Sequence, residues 1–253
     1  DECTGGVRKM TIGIFVGACD KSDHVVALAT FLTRLEKKVL IVDATTTRRI
    51  GMEIGLLTQS PIPIMSWNGY DVLSGAVSWD DMLQLIEWHG GSVDSYEHII
   101  IDTDRALFCN AEQWKQIDVR FLVQTMERYS LQKNREWLQA FQQQYDGEEL
   151  EFVPVLLRSF MPEDEYEFMM EWYFSIFEHR WSREYIAIEE DERNWMARMS
   201  GIHEGQLQTY AYPRATKRAW RLLTEHFTGK LAERVWRQCL KTPKKGRMNH
   251  AAL

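Results

Sequence analysis

The stretch TIGIFVGACDKSDHVVALATFL, residues 11–32, decides the fold class. It opens on Ile12, Ile14, Phe15 and Val16, an apolar run fit for a buried strand, then turns through Gly17-Ala18-Cys19-Asp20-Lys21-Ser22. After the turn, Val25, Leu28, Ala29, Leu32 and Leu35 recur at helical spacing. A strand, a glycine-containing turn carrying Lys-Ser and then a helix form the setting of a phosphate-cradling loop. Backbone N–H groups at the helix N-terminus would face an anion there, and Lys21 would add a positive charge. The loop is altered for that purpose, because Gly17 is its one remaining glycine and Asp20 directly precedes the lysine.

Outward from this stretch, residues 39–43 (VLIVD) and 98–102 (HIIID) read as buried parallel strands, each ending in an acid. Further strands are expected over 119–123, 152–157 and 185–188. Helices are expected over 78–88, capped by Ser78 with Asp80 and Asp81 in its first turn, and over 130–141, 190–199, 215–227 and 231–240. Residues 163–177 read as a helix both acidic and aromatic. Residues 51–77 are less regular, with turns at Pro61, Pro63 and Asn68-Gly69. Strands alternating with helices predict an α/β fold in three layers, a mostly parallel sheet with helices on both faces.

The chain has 253 residues, 45% hydrophobic and 26% charged, enough for one large domain with a substantial core. A net charge of −7 argues against a role in coating DNA independently of sequence, which needs a basic face. The four cysteines are scattered without metal-type spacing, and the reading is a reducing cytosol. No apolar run is long enough to span a membrane, and no signal peptide is visible. Residues 1–9 precede a Met10 that looks like a natural start, so they read as a leader or cloning remnant.

The ordered set of elements resembles the MinD/ParA group of deviant Walker ATPases, within the SIMIBI class of P-loop NTPases. The likeness covers most of residues 10–230. It includes KKVLIVDA, GYDVLSG near residue 70, IIIDTD as the Walker B strand and QTMERYSLQKNREWLQAF as the nucleotide-side strand and helix. IAIEEDERNWMARMSG and AYPRATKRAWRLLTEHF resemble the family's closing strand, loop and two helices.

The resemblance implies a nucleotide site built from Gly17, Asp20, Lys21, Ser22, Asp43 and Asp102, holding ATP or ADP, with Ser22 and Asp102 on Mg²⁺ if nucleotide binds. Aligned by its helix, the family's loop GKGGVGKTT falls on residues 15–23, so Lys21 matches the P-loop lysine and Ser22 the Mg²⁺-binding hydroxyl. Val16 stands where the group has its signature lysine, and Ala18 and Asp20 replace two glycines. A carboxylate at Asp20 would sit close to the β-phosphate oxygens. At roughly 4 Å and an effective dielectric near 20, that repulsion is on the order of 4 kcal/mol per unit charge. Asp43 holds the first position of the family's Asp-x-Asp motif, and Thr45 replaces the acid that orients the attacking water. The switch after Asp102 has become Thr103-Asp104-Arg105-Ala106. Because phosphoryl transfer depends on these parts, fast hydrolysis is not expected.

Each candidate also has a plainer reading. Lys21-Ser22 could be a capped helix start with a solvated lysine, Cys19 a packed thiol, and Asp43 and Asp102 strand-end acids without metal. The surplus of aromatic and methionine side chains in residues 166–181, Trp172 and Phe174 among them, suits a protein interface or part of the core. Leu231, Val235, Trp236 and Leu240 form an apolar stripe flanked by basic residues. It resembles the membrane-targeting C-terminal helix of MinD-like proteins or, more plainly, a helix packed on the domain.

The expected organisation is a MinD/ParA-like domain over 10–229 followed by an amphipathic helix and basic tail over 230–253. The expected function is that of a pseudo-ATPase acting as a localisation or assembly scaffold in a bacterial cytoplasm, for pilus or secretion machinery. Within the resembled family, the pilus-assembly localisation protein TadZ is the nearest example of an altered ATPase. Protein partners, a homodimer and peripheral contact with the inner face of the membrane are the expected interactions. The alternatives are a nucleotide-dependent dimerising switch with slow hydrolysis and, disfavoured by charge, a DNA partitioning factor.

Overall fold

The computed structural model describes residues 10–55, 64–144, 150–159, 181–182 and 184–241. The expected helix over 163–177, with Trp172 and Phe174, lies outside the described residues, as do residues 1–9 and the basic tail beyond Lys241.

The apolar runs read from sequence pair in the centre of an eight-stranded sheet. Its strands are β1 (Thr11–Val16), β2 (Val39–Asp43), β3 (Met65–Trp67), β4 (Tyr70–Ser74), β5 (His98–Thr103), β6 (Val119–Gln124), β7 (Val153–Ser159) and β8 (Ile186–Glu189). The order is β3-β4-β2-β5-β1-β6-β7-β8, parallel throughout except β3 against β4. Side chains of a strand alternate between faces, and the buried residues accordingly split into two cores. Phe15, Ile41, Ile100 and Phe121 face one layer, while Ile14, Val16, Val42, Ile101 and Leu122 face the other.

The first layer holds α1 (Ser22–Arg34), α6 (Glu192–Glu204), α7 (Arg214–Thr228) and α8 (Glu233–Cys239), with the short α2 (Arg49–Glu53) at its edge. The second holds α3 (Trp79–Trp88), α4 (Ala111–Lys115) and α5 (Arg128–Gln144). Helix α1 buries Ala27, Thr30 and Phe31 as well as its expected stripe, because α7 and α8 cover its outer side. Ser78 caps α3 as expected, its side chain accepting the Asp81 N–H at 3.1 Å.

The sequence marked the turn at Asn68-Gly69 but not strand β3 or the short helices α2 and α4. The Asn68-Gly69 turn, at φ 50° and 91°, closes a β3–β4 hairpin of the kind this pair of residues favours. Helix α4 starts on a reciprocal cap between Asn110 and Gln113. Helix α2 follows the polar loop after β2. Helix α6 also runs past its expected end at 199, through Gly201, and stops at Gly205 in the left-handed conformation.

Gly13 marks the tightest packing against the sheet. A β-carbon there would lie 2.1 Å from Phe227 Cζ on α7. Gly13→Ala is therefore expected to lose about 1–3 kcal/mol by forcing the ring aside, read as a lower urea midpoint with an unchanged slope.

Candidate functional site

The C-terminal ends of β1, β2, β5, β7 and β8 meet the N-terminus of α1, the place where open α/β sheets carry ligands. Gly17 leaves β1 at φ 135°, and a β-carbon would fall 2.1 Å from the Val123 carbonyl oxygen, so this position admits only glycine. The next residue is clamped from α5. Asn134, fully buried, accepts the Ala18 N–H at 3.0 Å and donates to the Val123 carbonyl at 2.9 Å.

Asp20 turns back onto the helix that follows it. Its Oδ1 accepts from the Ser22 N–H at 3.2 Å and the Ser22 hydroxyl at 2.7 Å. Its Oδ2 lies 2.7 Å from Arg49 Nη1 on α2 and 3.2 Å from Arg198 Nη1 on α6. Burial opposes the charge on Asp20, but Ser22 and the two guanidinium groups outweigh it and hold the carboxyl below its usual range. The carboxylate thus occupies the donors and positive helix end that a phosphate-cradling loop offers its ligand.

Lys21 points into the protein and is buried. Its Nζ donates to the Gly17 carbonyl at 2.9 Å and pairs with Asp102 Oδ1 at 2.8 Å. Burial works against its charge, yet the adjacent Asp102 carboxylate raises its pKa. Burial pushes the Asp102 carboxyl up to about 6 against the pull of Lys21. Asp43, also buried, is engaged by the loop after β2. It accepts from the Thr45 hydroxyl at 2.7 Å, the Gly51 N–H at 3.0 Å and, at the limit of 3.5 Å, the Ser74 hydroxyl. Thr45 thereby turns back on Asp43, and Thr46 donates to Asp104, tying the loops after β2 and β5 together. Cys19 is half-buried, with its thiol pushed up to about 11 chiefly by burial, so it is held as a neutral thiol.

Arg198 is the residue that sequence reasoning missed. Nearly buried, it pairs with Asp23 at 2.8 Å, Glu53 at 3.1 Å and Asp20 at 3.2 Å, joining α1, α2 and α6. Three carboxylates share Arg198 and Arg49. Burial, with Asp20 and Glu53 nearby, pushes the Asp23 carboxyl up to about 7 against the attraction of Arg198. The folded state therefore keeps a proton on Asp23 that the unfolded chain releases near the ordinary carboxylate pKa. The contribution of Asp23 to stability falls as pH rises from about 4 to about 7. Asp23→Asn is expected to flatten that part of the stability profile and to stand at least level with the parent at pH 8, measured by urea denaturation at pH 5 and 8.

Among the described residues, two clefts at this end of the sheet reach Asp20. One of about 420 Å³ is lined by Lys21, Ser22, Thr45, Arg49, Asp102 and Asp104, among others. A second of about 290 Å³ is lined by His24, Arg158, Glu190, Asn194, Trp195 and Arg198, among others. Among the described residues, Asp20 is the one lining residue they share. Among the described residues no group of three His, Cys, Asp or Glu side chains is placed to hold a metal ion. With Ser22 donating to Asp20 and Lys21 paired to Asp102, the side chains as arranged do not fit a Mg²⁺-bound triphosphate.

The stripe on α8 is turned inward. Trp236 and Cys239 are buried, the Trp236 ring lies 4.7 Å from Phe31, and Leu231, Val235 and Leu240 pack against the same core. Arg34 of α1 donates to the Cys239 carbonyl at 2.7 Å. A bilayer could take this stripe only if α8 left the domain. No helix among the described residues is long and apolar enough to cross a membrane.

No family model matches the sequence. No curated protein matches it either. Solved structures do match the fold. A ParA family ATPase from Chlorobium tepidum superposes with a TM-score of 0.57 at 13% identity, over 87% of this chain and 99% of the other. MinD in the MinC:MinD cell division complex of Aquifex aeolicus gives 0.52 at 15%, over 84% and 96%. A Cyanothece McdA variant in complex with ATP gives 0.55 at 12%, over 88% and 98%. At these identities the likeness is one of fold, and the chain has the MinD/ParA-type, P-loop NTPase-like α/β fold.

Proposed function

We propose that this chain is a MinD/ParA-like protein that serves as a localisation or assembly scaffold without hydrolysing ATP. Asp20 carries the reading. Its carboxylate takes the Ser22 N–H and hydroxyl and is neutralised by Arg49 and Arg198, so the loop supplies its own anion. A nucleotide would have to displace that side chain and break its ion pairs before a phosphate could bind. Thr45 cannot orient a water as a carboxylate does, and its hydroxyl donates to Asp43.

The MinD neighbour is a cell division protein solved with MinC, which supports a protein partner for this chain. A pilus or secretion assembly is the class of machine this reading names. The body of the scaffold takes in residues 10–229 together with α8, which packs on α1.

The cleft of about 420 Å³ beside Lys21, Ser22 and Asp102 favours a second reading, a slow nucleotide switch that dimerises once Asp20 swings out. Phosphate release from Mg-ATP, with sedimentation velocity in the presence and absence of nucleotide, separates the two. The scaffold gives no release above the blank and one sedimentation coefficient in all conditions. Slow release with an ATP-dependent dimer would replace it with the switch.

A further inference from the structure

A further cleft lies on the α1 side of the sheet, between α1, α2, the β3–β4 hairpin and the C-terminal half of α6. Asp20 is not among its lining residues. The cleft encloses about 70 Å³. One water takes up roughly 10–15 Å³ by the same kind of measure, so the space suits a small organic molecule. Its walls are mostly apolar, with Val26, Ile50, Ile54, Trp67 and Leu207 among them. The hairpin is tied to the end of α6. Asn68 donates to the Gly205 carbonyl at 2.8 Å, and a β-carbon at Gly205 would lie 3.5 Å from Trp67 Cζ2.

Two independent features of this cleft point to the chemistry it would accept. The first is charge. Asp23, Glu53 and Arg198 line it, and they belong to the group in which Asp20, Asp23 and Glu53 share Arg198 and Arg49. Three carboxyl groups against two guanidinium groups leave the cluster one cation short. The second is Tyr70, which lines the cleft, is 2% exposed, and whose hydroxyl makes no hydrogen bond among the described residues. Burial outweighs the nearby Thr30 and Asn68 and, with Glu53, holds this phenol above its usual range. A buried hydroxyl left unmatched is costly, and a ligand that meets it gains what the fold leaves unmade.

We propose that this cleft binds a small organic ammonium, a primary amine on a compact hydrocarbon or aromatic body. The ammonium supplies the missing cation beside Asp23 and Glu53 and donates to the Tyr70 hydroxyl, which uses the several N–H donors such a group carries. The body packs on Val26, Ile54, Trp67 and Leu207, and the rings of Trp67, Tyr70 and Tyr212 add faces that attract a cation. A carboxylate or phosphate would meet two acids here, and an uncharged molecule would leave the shortage of positive charge as it is. Because Asp20 stands outside the cleft, the proposal does not depend on whether the loop after β1 takes a nucleotide.

The test titrates benzylamine into the full chain at pH 8 by calorimetry, with benzyl alcohol as the uncharged isostere. Proton–nitrogen correlation spectra follow the Trp67 indole N–H, identified by its loss in Trp67→Phe. The proposal expects one benzylamine per chain, bound about tenfold more tightly than benzyl alcohol, with the Trp67 resonance shifted. Binding is expected to weaken about fivefold or more in Asp23→Asn and in Tyr70→Phe, and circular dichroism confirms that both variants stay folded. Equal affinity for the amine and the alcohol would overturn the proposal, as would unchanged affinity in either variant. Binding that leaves the Trp67 resonance unmoved, or no binding at millimolar benzylamine, would overturn it as well.

Discussion

Lys21→Met is expected to cost about 3–5 kcal/mol of stability, because it strands the buried Asp102 carboxylate without its cation. In a loop whose lysine faces a ligand, the same change removes binding and leaves the fold nearly untouched. The inward position of Nζ, between the Gly17 carbonyl and Asp102, reverses that expectation here. Two further signs follow from the pair. The deficit shrinks as pH falls toward about 6, because the Asp102 carboxyl, deprived of the lowering influence of Lys21, takes up its proton above that value. The double variant Lys21→Met/Asp102→Leu recovers most of the loss, since a buried pair exchanged for apolar groups is often neutral. Urea denaturation followed by circular dichroism measures all three. A loss below about 1 kcal/mol for Lys21→Met would mean that the pair is open to water.

Arg198→Ala is the second large effect, at about 3 kcal/mol. It leaves Asp20, Asp23 and Glu53 together with Arg49 as their remaining cation, and it undocks the charged contact of α6 with α1 and α2. The figure lies toward the lower end for a broken buried pair because Asp23 and Glu53 are each about a quarter exposed, and solvent screens part of the repulsion. Adding Asp23→Asn to Arg198→Ala is expected to recover part of the loss only above about pH 7, because without Arg198 the Asp23 carboxyl keeps its proton below that. Hydrogen exchange localises the effect, with faster exchange along α6 and at the start of α1 and β5 unchanged. Uniform acceleration would instead indicate global loosening.

The central strands were legible because burial on both faces demands unbroken apolar runs, and VLIVD and HIIID have no other use. Helix α1 was legible for the same reason, as was the Ser78 cap, which depends on a neighbour three residues away. The site divides differently. Asp20 and Lys21 are local to the loop, so their presence could be read, but the direction each side chain takes could not. Asp20 lies 178 residues from Arg198, and Glu53 lies 145 from it, so a nearly buried arginine reads in sequence as an ordinary polar position on a helix. Asn134 did leave a signal. It falls on the stripe Leu131, Leu138 and Phe141, where a polar side chain has to find a buried partner. The stripe on α8 stands in the sequence, but only the packing of Trp236 against Phe31 tells which surface it meets.

The account turns on Asp20 as the loop's own anion, and calorimetry with Mg-ATP and Mg-ADP on the parent and on Asp20→Gly tests that most directly. The parent is expected to bind neither nucleotide. Asp20→Gly is expected to gain measurable affinity, because it frees the Ser22 N–H and hydroxyl and leaves Arg49 and Arg198 facing the vacated place. Micromolar binding by the parent, unchanged or weakened in Asp20→Gly, would contradict the account.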